Sequence, residues 1–168
     1  MIIIERLCIL RITRLGGLRW LLLSLEKIGK RKAHRYYERM RYLLPRFEKC
    51  LEMNDYVEAA EKAWGIVSAF VNVYALTFEG REYKNDEKKK RKLVEFLNTV
   101  LPFDDELRKL VEDFSRGHVE TLARALKGLH TYFYGGTTVS EYDAKHYLSY
   151  AKILLRILNE YAMVMSPR

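Results

Sequence analysis

YVEAAEKAWGIVSAFVNVYALTF, residues 56–78, is the stretch that decides the fold of this chain. Its apolar residues recur at steps of three and four, which is the period of an α-helix with a buried face. The positions are Val57, Ala60, Trp64, Val67, Val71, Tyr74 and Phe78. The pattern predicts a central, deeply buried helix. Its alanines and Gly65 are small enough to let a neighbouring helix approach closely.

Helix-start and helix-stop residues divide the chain on both sides of this stretch. Upstream, Pro45 suits the first turn of a short helix, PRFEKCLEM, that ends at Asn54-Asp55. Downstream, LVEFLNTVL at residues 93–101 regains the helical period after a polar connection and stops at Pro102. FDDELRKLVEDF follows at residues 103–114, with acidic residues at its start.

Two further helices complete the predicted set. Residues 118–134 carry an apolar stripe that ends at Gly135-Gly136; its members are Leu122, Leu126, Leu129 and Phe133. Thr138 and Glu141 match a capping box that would begin the last helix. The chain is therefore predicted to be all-α, an up-and-down bundle of four to five helices with no strand after residue 40.

Positive charge is concentrated at the start of the chain. Residues 1–49 contain 13 Lys/Arg and 4 Asp/Glu, a net +9, whereas residues 50–168 contain 17 and 18, a net −1. The two sum to the overall +8. We therefore divide the chain into a basic, amphipathic N-terminal extension, residues 1–40, and a helical bundle domain, residues 41–168.

The extension is apolar, but it does not predict a membrane span. Arg6, Arg11, Arg14 and Arg19 interrupt it, so no apolar run approaches the roughly 20 residues that a span requires. It also lacks the unbroken apolar centre and the cleavage site of a secretory signal. We expect a cytoplasmic protein. Residues 18–28 are interpreted as a basic amphipathic helix that docks on the domain, a partner or a membrane surface. The alternative is a pair of short elements separated by Gly16-Gly17, the first of which, IIIERLCILRI, is strand-like. A further alternative is that translation starts near Met40.

The strongest candidate for RNA contact is the run KIGKRKAHRYYERMRY, residues 27–42. It interleaves cations with tyrosines, and phosphate neutralisation together with base stacking is how single-stranded RNA is often bound. The candidate residues are Lys30, Arg31, Lys32, Arg35, Tyr36 and Tyr37. The alternative is a solvated helix face. A second cluster, Lys88–Lys92, ranks behind it because Glu82, Asp86 and Glu87 lie nearby in sequence.

Neither a metal nor a cofactor is expected. Cys8 and Cys50 have no cysteine or histidine at ligand spacing, so we read both as reduced thiols. The carboxylate pair Asp104-Asp105 already has a use at a helix start. Abundant Lys, Arg and Glu are compatible with the surface ion-pair networks of a heat-adapted, thermophilic protein.

Arg124 and His130 are the one basic pair that suggests a catalytic site. A histidine can move a proton while a guanidinium stabilises the charge that develops on a phosphate, which is sufficient for RNA cleavage without metal. Alternatively, Arg124 is a surface partner of Glu120, four residues earlier. On that view His130 is a core-edge residue that donates to a backbone carbonyl or to Tyr134.

The segments DYVEAAEKAWGIVSAFVNVYA, residues 55–75, and ALKGLHTYFYGG, residues 125–136, followed by a capped final helix, resemble the archaeal PaREP family of the HEPN superfamily. The resemblance covers roughly residues 45–162. It implies a small, commonly dimeric helical bundle, with active members that are metal-independent ribonucleases. Their signature is an arginine, four to six residues, then a histidine, supplied across a dimer interface. Arg124 and His130 match that spacing, whereas Ala125 replaces a usually polar residue.

The resemblance thus implies a homodimer that binds RNA, a nucleotide or a partner protein such as a nucleotidyltransferase, without robust catalysis. The alternative is a toxin-like endoribonuclease in which His130 is the general acid/base and Arg124 stabilises the transition state. Six helical residues leave the two side chains about 120° apart around the axis and about 9 Å apart along it. Catalysis therefore requires either a distortion at Gly128 or a second subunit with the two-fold axis near His130.

Overall fold

The structure is a computed structural model of the chain, and it describes residues 27–135 and 139–166. Six α-helices account for most of these residues. They are α1 (Lys27–Glu52), α2 (Tyr56–Glu79), α3 (Asp86–Val100), α4 (Asp105–Ser115), α5 (Val119–Phe133) and α6 (Glu141–Met165). A single 3-10 turn, Leu101–Phe103, joins α3 to α4. These described residues contain no strand, so the predicted all-α bundle is confirmed.

Helix α2 is the centre of the bundle, as its sequence predicted. It packs against α1, α3, α5 and α6, and most of its residues from Ala59 to Thr77 are buried. The Asp55 side chain accepts a hydrogen bond from the Glu58 backbone N–H at its start, and Gly80 ends it with φ of 69°. Val57, by contrast, is exposed and Phe78 only partly buried, so the buried face begins and ends inside the predicted stripe.

The prediction that Pro45 begins a helix is wrong. Pro45 lies inside α1, which runs without a break from residue 27 to residue 52. Proline removes one backbone donor and crowds the preceding turn, which normally interrupts a helix. Here Met40 and Phe47, on either side of it, are both completely buried. Packing of both halves against the bundle therefore outweighs the local cost.

Gly65 lies where α2 packs closely against α1. A Cβ atom at this position would lie 3.1 Å from Leu43 Cδ1 of α1. That distance is tighter than ordinary van der Waals contact, so a side chain here would require the Leu43 side chain to shift by a few tenths of an ångström. The close contact agrees with the predicted role of Gly65.

Helices α3, α4 and α5 follow the predicted order with small changes in their bounds. Asp104 is buried and caps α4, its Oδ1 accepting from the Leu107 backbone N–H at 3.0 Å. Arg116 and Gly117 end α4 with positive φ. In α5 the residues Leu122, Leu126 and Leu129 are buried, but Phe133 is only partly buried, so the predicted core stripe is one residue too long.

The start of α6 differs from the predicted capping box. Thr138 lies outside the described residues, and the cap is Ser140, whose Oγ accepts from the Asp143 backbone N–H at 3.1 Å. Ser140 Oγ also donates to the Asp143 carboxylate at 2.7 Å. The same short hydroxyl-to-carboxylate motif is therefore used two residues later than predicted.

The interpretations of residues 1–26 lie outside the described residues, and they include all but the last two residues of the amphipathic helix predicted over 18–28. Within the described part, residue 40 is not the end of any element. Ala33, Tyr37 and Met40 are buried, so α1 joins the core well before residue 41. None of the described helices is both long and apolar enough to span a membrane.

Candidate functional site

Helix α1 carries the positive charge that the sequence places near the N-terminus. Its 26 residues, KIGKRKAHRYYERMRYLLPRFEKCLE, include nine lysines and arginines and only three glutamates. The core takes up one face of the helix through Ala33, Tyr37, Met40 and Phe47. The cations from Lys30 onward therefore lie on the remaining surface, where they can meet a ligand or solvent.

Four residues of α1 line a shallow recess of about 340 Å³. They are Lys32, Arg35, Tyr36 and Arg39, which are spaced at i, i+3, i+4 and i+7 and so share one side of the helix. Glu82, from the connection between α2 and α3, lines it from the opposite side. We call these five residues the basic recess.

Two of the predicted RNA-contact tyrosines have different environments. The Tyr36 side chain lies at the recess and is partly buried. Tyr37 is 9% exposed and belongs to the core, so its ring is not available to stack on a base in this structure. The alternation follows from the helix, in which neighbouring residues point about 100° apart.

Most of the predicted cations form no ion pair within the part of the chain that the structure describes. Lys30, Arg31 and Arg35 are exposed, and none of them forms an ion pair with another described residue. Lys32 is the exception, because its Nζ lies 3.4 Å from Glu82 Oε1. Arg39, which is not among the residues predicted from the sequence, is exposed at the same recess. Its i+7 spacing from Lys32 places it on the same side of the helix.

The connection that carries Glu82 is held by a network of hydrogen bonds. The Tyr83 backbone N–H donates to Asn72 Oδ1 at 2.7 Å, and the Tyr83 hydroxyl donates to Glu79 at 2.8 Å. Lys92 pairs with Glu79 at 2.6 Å. Burial works to raise the pKa of the Glu79 carboxyl, but hydrogen bonds from Lys92, Tyr83 and Arg81 outweigh it and leave the pKa below its ordinary value. The network holds Glu79 charged and the connection in place.

Arg124 and His130 both lie on α5, but a single chain does not bring them together. Helix α5 is continuous from residue 119 to residue 133, so the distortion considered at Gly128 is absent. Gly128 instead lets the chain before α6 approach, since a Cβ there would be 3.3 Å from Val139 Cγ2. Two residues six apart on a regular helix stay about 120° and about 9 Å apart.

Arg124 is exposed and forms no ion pair with a described residue, and the expected pair with Glu120 is likewise not formed. Ala125, which stands where the resemblance described above implies a polar residue, is 9% exposed and contributes to the inner face of α5. A polar side chain at that position would be partly desolvated. The two neighbours therefore differ sharply in environment, with the guanidinium in solvent and the methyl group facing the bundle.

His130 lies in a partly enclosed site between three helices. Its Nε2 is 3.4 Å from Asp86 Oδ2 at the start of α3. Its ring is 5.8 Å from that of Trp64 on α2, and the Tyr134 ring meets it edge-on at 5.0 Å. Nδ1 is buried and has no hydrogen-bond partner among the described residues.

Neither hydrogen-bond partner expected for a core-edge His130, a backbone carbonyl or the Tyr134 hydroxyl, is the group that His130 meets. The imidazole faces a carboxylate rather than a backbone carbonyl, and Tyr134 contributes its ring rather than its hydroxyl. Asp86 was read in the sequence only as a charge balancing the neighbouring lysines. A carboxylate beside an imidazole can orient the ring. One nitrogen is therefore directed at Asp86, and the other is buried.

The other charged clusters have structural partners. In the Lys88–Lys92 cluster, Lys89 pairs with Asp86 at 3.1 Å and Lys90 with Glu87 at 2.9 Å, and Lys127 of α5 also pairs with Glu87. Asp104 is occupied by its cap and by the Tyr161 hydroxyl at 2.9 Å. Within residues 27–135 and 139–166, no group of three or more His, Cys, Asp or Glu residues is placed to hold a metal ion.

Comparison with known proteins identifies one family. A family model described as the archaeal PaREP1/PaREP8 family matches residues 35–155, which is more than half of the chain. The match begins inside α1, at Arg35 of the basic recess, and ends inside α6. No curated protein and no solved structure is significantly similar to the chain.

Proposed function

The chain belongs to the archaeal PaREP1/PaREP8 family, and from that premise we propose that it is a helical module that binds single-stranded RNA through the basic recess without cleaving it. The observation that carries this proposal is the alignment of Lys32, Arg35, Tyr36 and Arg39 on one side of α1, around a recess of about 340 Å³. Cations neutralise phosphates, and an aromatic ring offers a platform for a base.

The distribution of partners supports α1 over the second basic cluster. Lys89, Lys90 and Lys92 of α3 each pair with a carboxylate, which they would have to give up to bind phosphate. Arg35 and Arg39 are exposed and have no such pair among the described residues. Phosphate binding at α1 therefore costs less, because fewer existing interactions are lost.

Fluorescence anisotropy with a labelled single-stranded oligouridine RNA tests the proposal. We expect the double variant Arg35→Ala, Arg39→Ala to bind about tenfold more weakly, because two phosphate contacts are lost. The slope of log K against log salt should also become shallower by about 1.4, since each contact to a single strand contributes about 0.7.

The matched control is Lys88→Ala, Arg91→Ala, which removes the same charge from exposed positions of α3 outside the recess. It should change the affinity much less. If the control weakens binding as strongly as the recess variant, net charge rather than the recess determines affinity. If the salt slope of Arg35→Ala, Arg39→Ala equals that of the wild type, these two arginines do not contact phosphate and the recess is not the RNA-binding site.

A second candidate function is metal-independent endoribonuclease activity, and the proximity of His130 to Asp86 favours it. His130 would act as general acid/base, and Arg124 would stabilise the phosphorane-like transition state, which leaves a cyclic phosphate on the product. Because α5 keeps the two side chains apart, the arginine must come from a second copy of the chain. This function therefore requires a homodimer with its two-fold axis near His130.

Incubation of the purified protein with single-stranded RNA in excess chelator distinguishes the two candidates. A binding module leaves the RNA intact, as does its His130→Ala variant. Cleavage that persists in chelator, is lost in His130→Ala and is retained in His146→Ala, a substitution of an exposed histidine on α6, would replace the first candidate with the second.

A further inference from the structure

We propose that Glu82 makes the basic recess selective for guanine, so that its ligand is single-stranded RNA with an unpaired guanosine. This inference rests on the proposed RNA-binding function and concerns which base that site prefers. It starts from the composition of the recess. Three of its five residues are cations and one is an aromatic ring, yet the fifth is a carboxylate.

A carboxylate is unfavourable in a site that recognises only phosphate, because it repels the anion that the cations attract. Glu82 is nevertheless held at the recess. Its side chain is 25% exposed, and one oxygen lies 3.4 Å from Lys32 Nζ. The pair with Lys32 leaves the carboxylate with further acceptor capacity, since each oxygen has two lone pairs. A ligand group that donates hydrogen bonds can use that capacity.

Among the four RNA bases, guanine presents the edge that fits a carboxylate. Its N1–H and N2–H are adjacent donors, and they can form two parallel hydrogen bonds with the two carboxylate oxygens. Uracil places its single N–H between two carbonyl groups, whereas adenine and cytosine place an amino group beside an acceptor nitrogen. Unpaired bases in single-stranded RNA expose this edge, which makes it available to a protein.

The rest of the recess supplies what such a nucleotide needs besides its edge. Tyr36 is placed for stacking on a base, and the Arg35 and Arg39 guanidinium groups can stack or bind the flanking phosphates. Glu82 is also positioned before any ligand arrives. The adjacent Tyr83 backbone is tied to Asn72, which is only 4% exposed on the central helix α2. A positioned acceptor loses less entropy when it binds.

The test compares three ten-nucleotide oligouridine RNAs that differ at one central position, which is guanosine, inosine or adenosine. Inosine keeps N1–H and lacks only the N2 amino group, so it isolates the second hydrogen bond. We expect the wild-type protein to bind the guanosine RNA about tenfold more tightly than either other RNA, which is typical of a bidentate base contact. Equal affinity for guanosine and inosine overturns the inference and leaves RNA binding itself standing.

The variant Glu82→Gln should lose this preference, because an amide presents one acceptor and one donor in place of two acceptors. Glu38→Gln is the matched control, as it removes the same charge from an exposed position of α1 outside the recess. It should retain the tenfold preference. Selectivity that persists in Glu82→Gln, with circular dichroism showing both variants folded, overturns the assignment to Glu82. Failure of every RNA to bind rejects the RNA-binding function and this inference together.

Discussion

Single polar residues begin four of the six described helices. In each case a side-chain oxygen accepts a hydrogen bond from the backbone N–H three residues later, a pattern that satisfies one otherwise unpaired donor. The residues are Asp55, Asn85, Asp104 and Ser140. Asp104 also accepts from the Tyr161 hydroxyl and is 1% exposed. Asp104 therefore links the start of α4 to α6. No local sequence pattern predicts this link.

We expect Asp104→Ala to lower the free energy of unfolding by about 2–4 kcal/mol. The substitution removes the helix cap, and it also removes the acceptor of the Tyr161 hydroxyl. Chemical denaturation monitored by circular dichroism measures this. Asp105→Ala is the control, because its side chain is 93% exposed and its ion pair is with Arg108, three residues away on the same helix. A change below 1 kcal/mol in Asp104→Ala would show that the cap and the tyrosine contact are not the main determinants at this helix junction.

At the scale of whole elements, α1 shows how packing overrides local preference. Pro45 lacks the N–H that would bond to the carbonyl of residue 41, yet the helix continues through it. The Arg46 guanidinium donates to the Tyr42 carbonyl at 2.9 Å, which adds a donor next to the interruption. Because Phe47 and Met40 are buried on either side, ending the helix at Pro45 would expose one of them.

Pro45→Ala should stabilise the protein by about 1–2 kcal/mol, because alanine restores the backbone donor and removes the ring crowding at an exposed position. Thermal unfolding should show a higher Tm. A lower Tm would mean instead that the proline-induced geometry is needed for Met40 and Phe47 to reach the core together.

The α2–α3 connection should make stability depend on acid pH through Glu79. Its pKa lies below the ordinary value of 4.5, so the unfolded chain binds this proton more readily than the folded one. The stabilisation is therefore present above about pH 4.5 and is lost as the pH falls through the lower, folded pKa.

Glu79→Gln should be less stable than wild type at pH 7 and should lose less stability between pH 5 and pH 3, as measured by urea unfolding across that range. Glu95→Gln is the control, since Glu95 contacts the same Lys92 but its side chain is 48% exposed. Identical acid profiles for wild type and Glu79→Gln would contradict the role given to the network.

At the scale of the whole molecule, the C-terminal end of α5 carries an exposed tyrosine beside His130. Tyr134 is 72% exposed although its ring packs on that of His130. A second copy of the chain at this end would cover Tyr134 and bring its own Arg124 towards His130. That arrangement is the one that the ribonuclease candidate requires.

If the chain forms a dimer whose two-fold axis passes near His130, analytical ultracentrifugation should give a mass of about 40 kDa, twice the 20.0 kDa of one chain. Tyr134→Asp should then shift the protein towards the monomer. Met163→Asp, an exposed position near the other end of α6, should not. A wild-type monomer, or a dimer insensitive to Tyr134→Asp, would count strongly against the ribonuclease candidate and leave the binding module.

The sequence by itself determined the helical class, the central position of α2 and the concentration of positive charge on one segment. These properties depend on periodicity and composition, which are local and can be read directly. It also placed Arg124 and His130 on one helix, so that they could meet only through a distortion at Gly128 or through a second subunit. The basic run at residues 27–42 was identified for the same reason, since its charge density is a property of the sequence alone.

Only the tertiary structure decided which distant residues meet. It buried Tyr37, carried α1 through Pro45, placed Asp86 of α3 beside His130 and brought Glu82 to the recess. Each outcome depends on how helices pack side by side, and packing energy is summed over many contacts between residues far apart in the chain. A local sequence pattern does not predict packing energy of this kind. Asp86 at His130 and Glu82 at the recess could therefore be identified only from the tertiary structure.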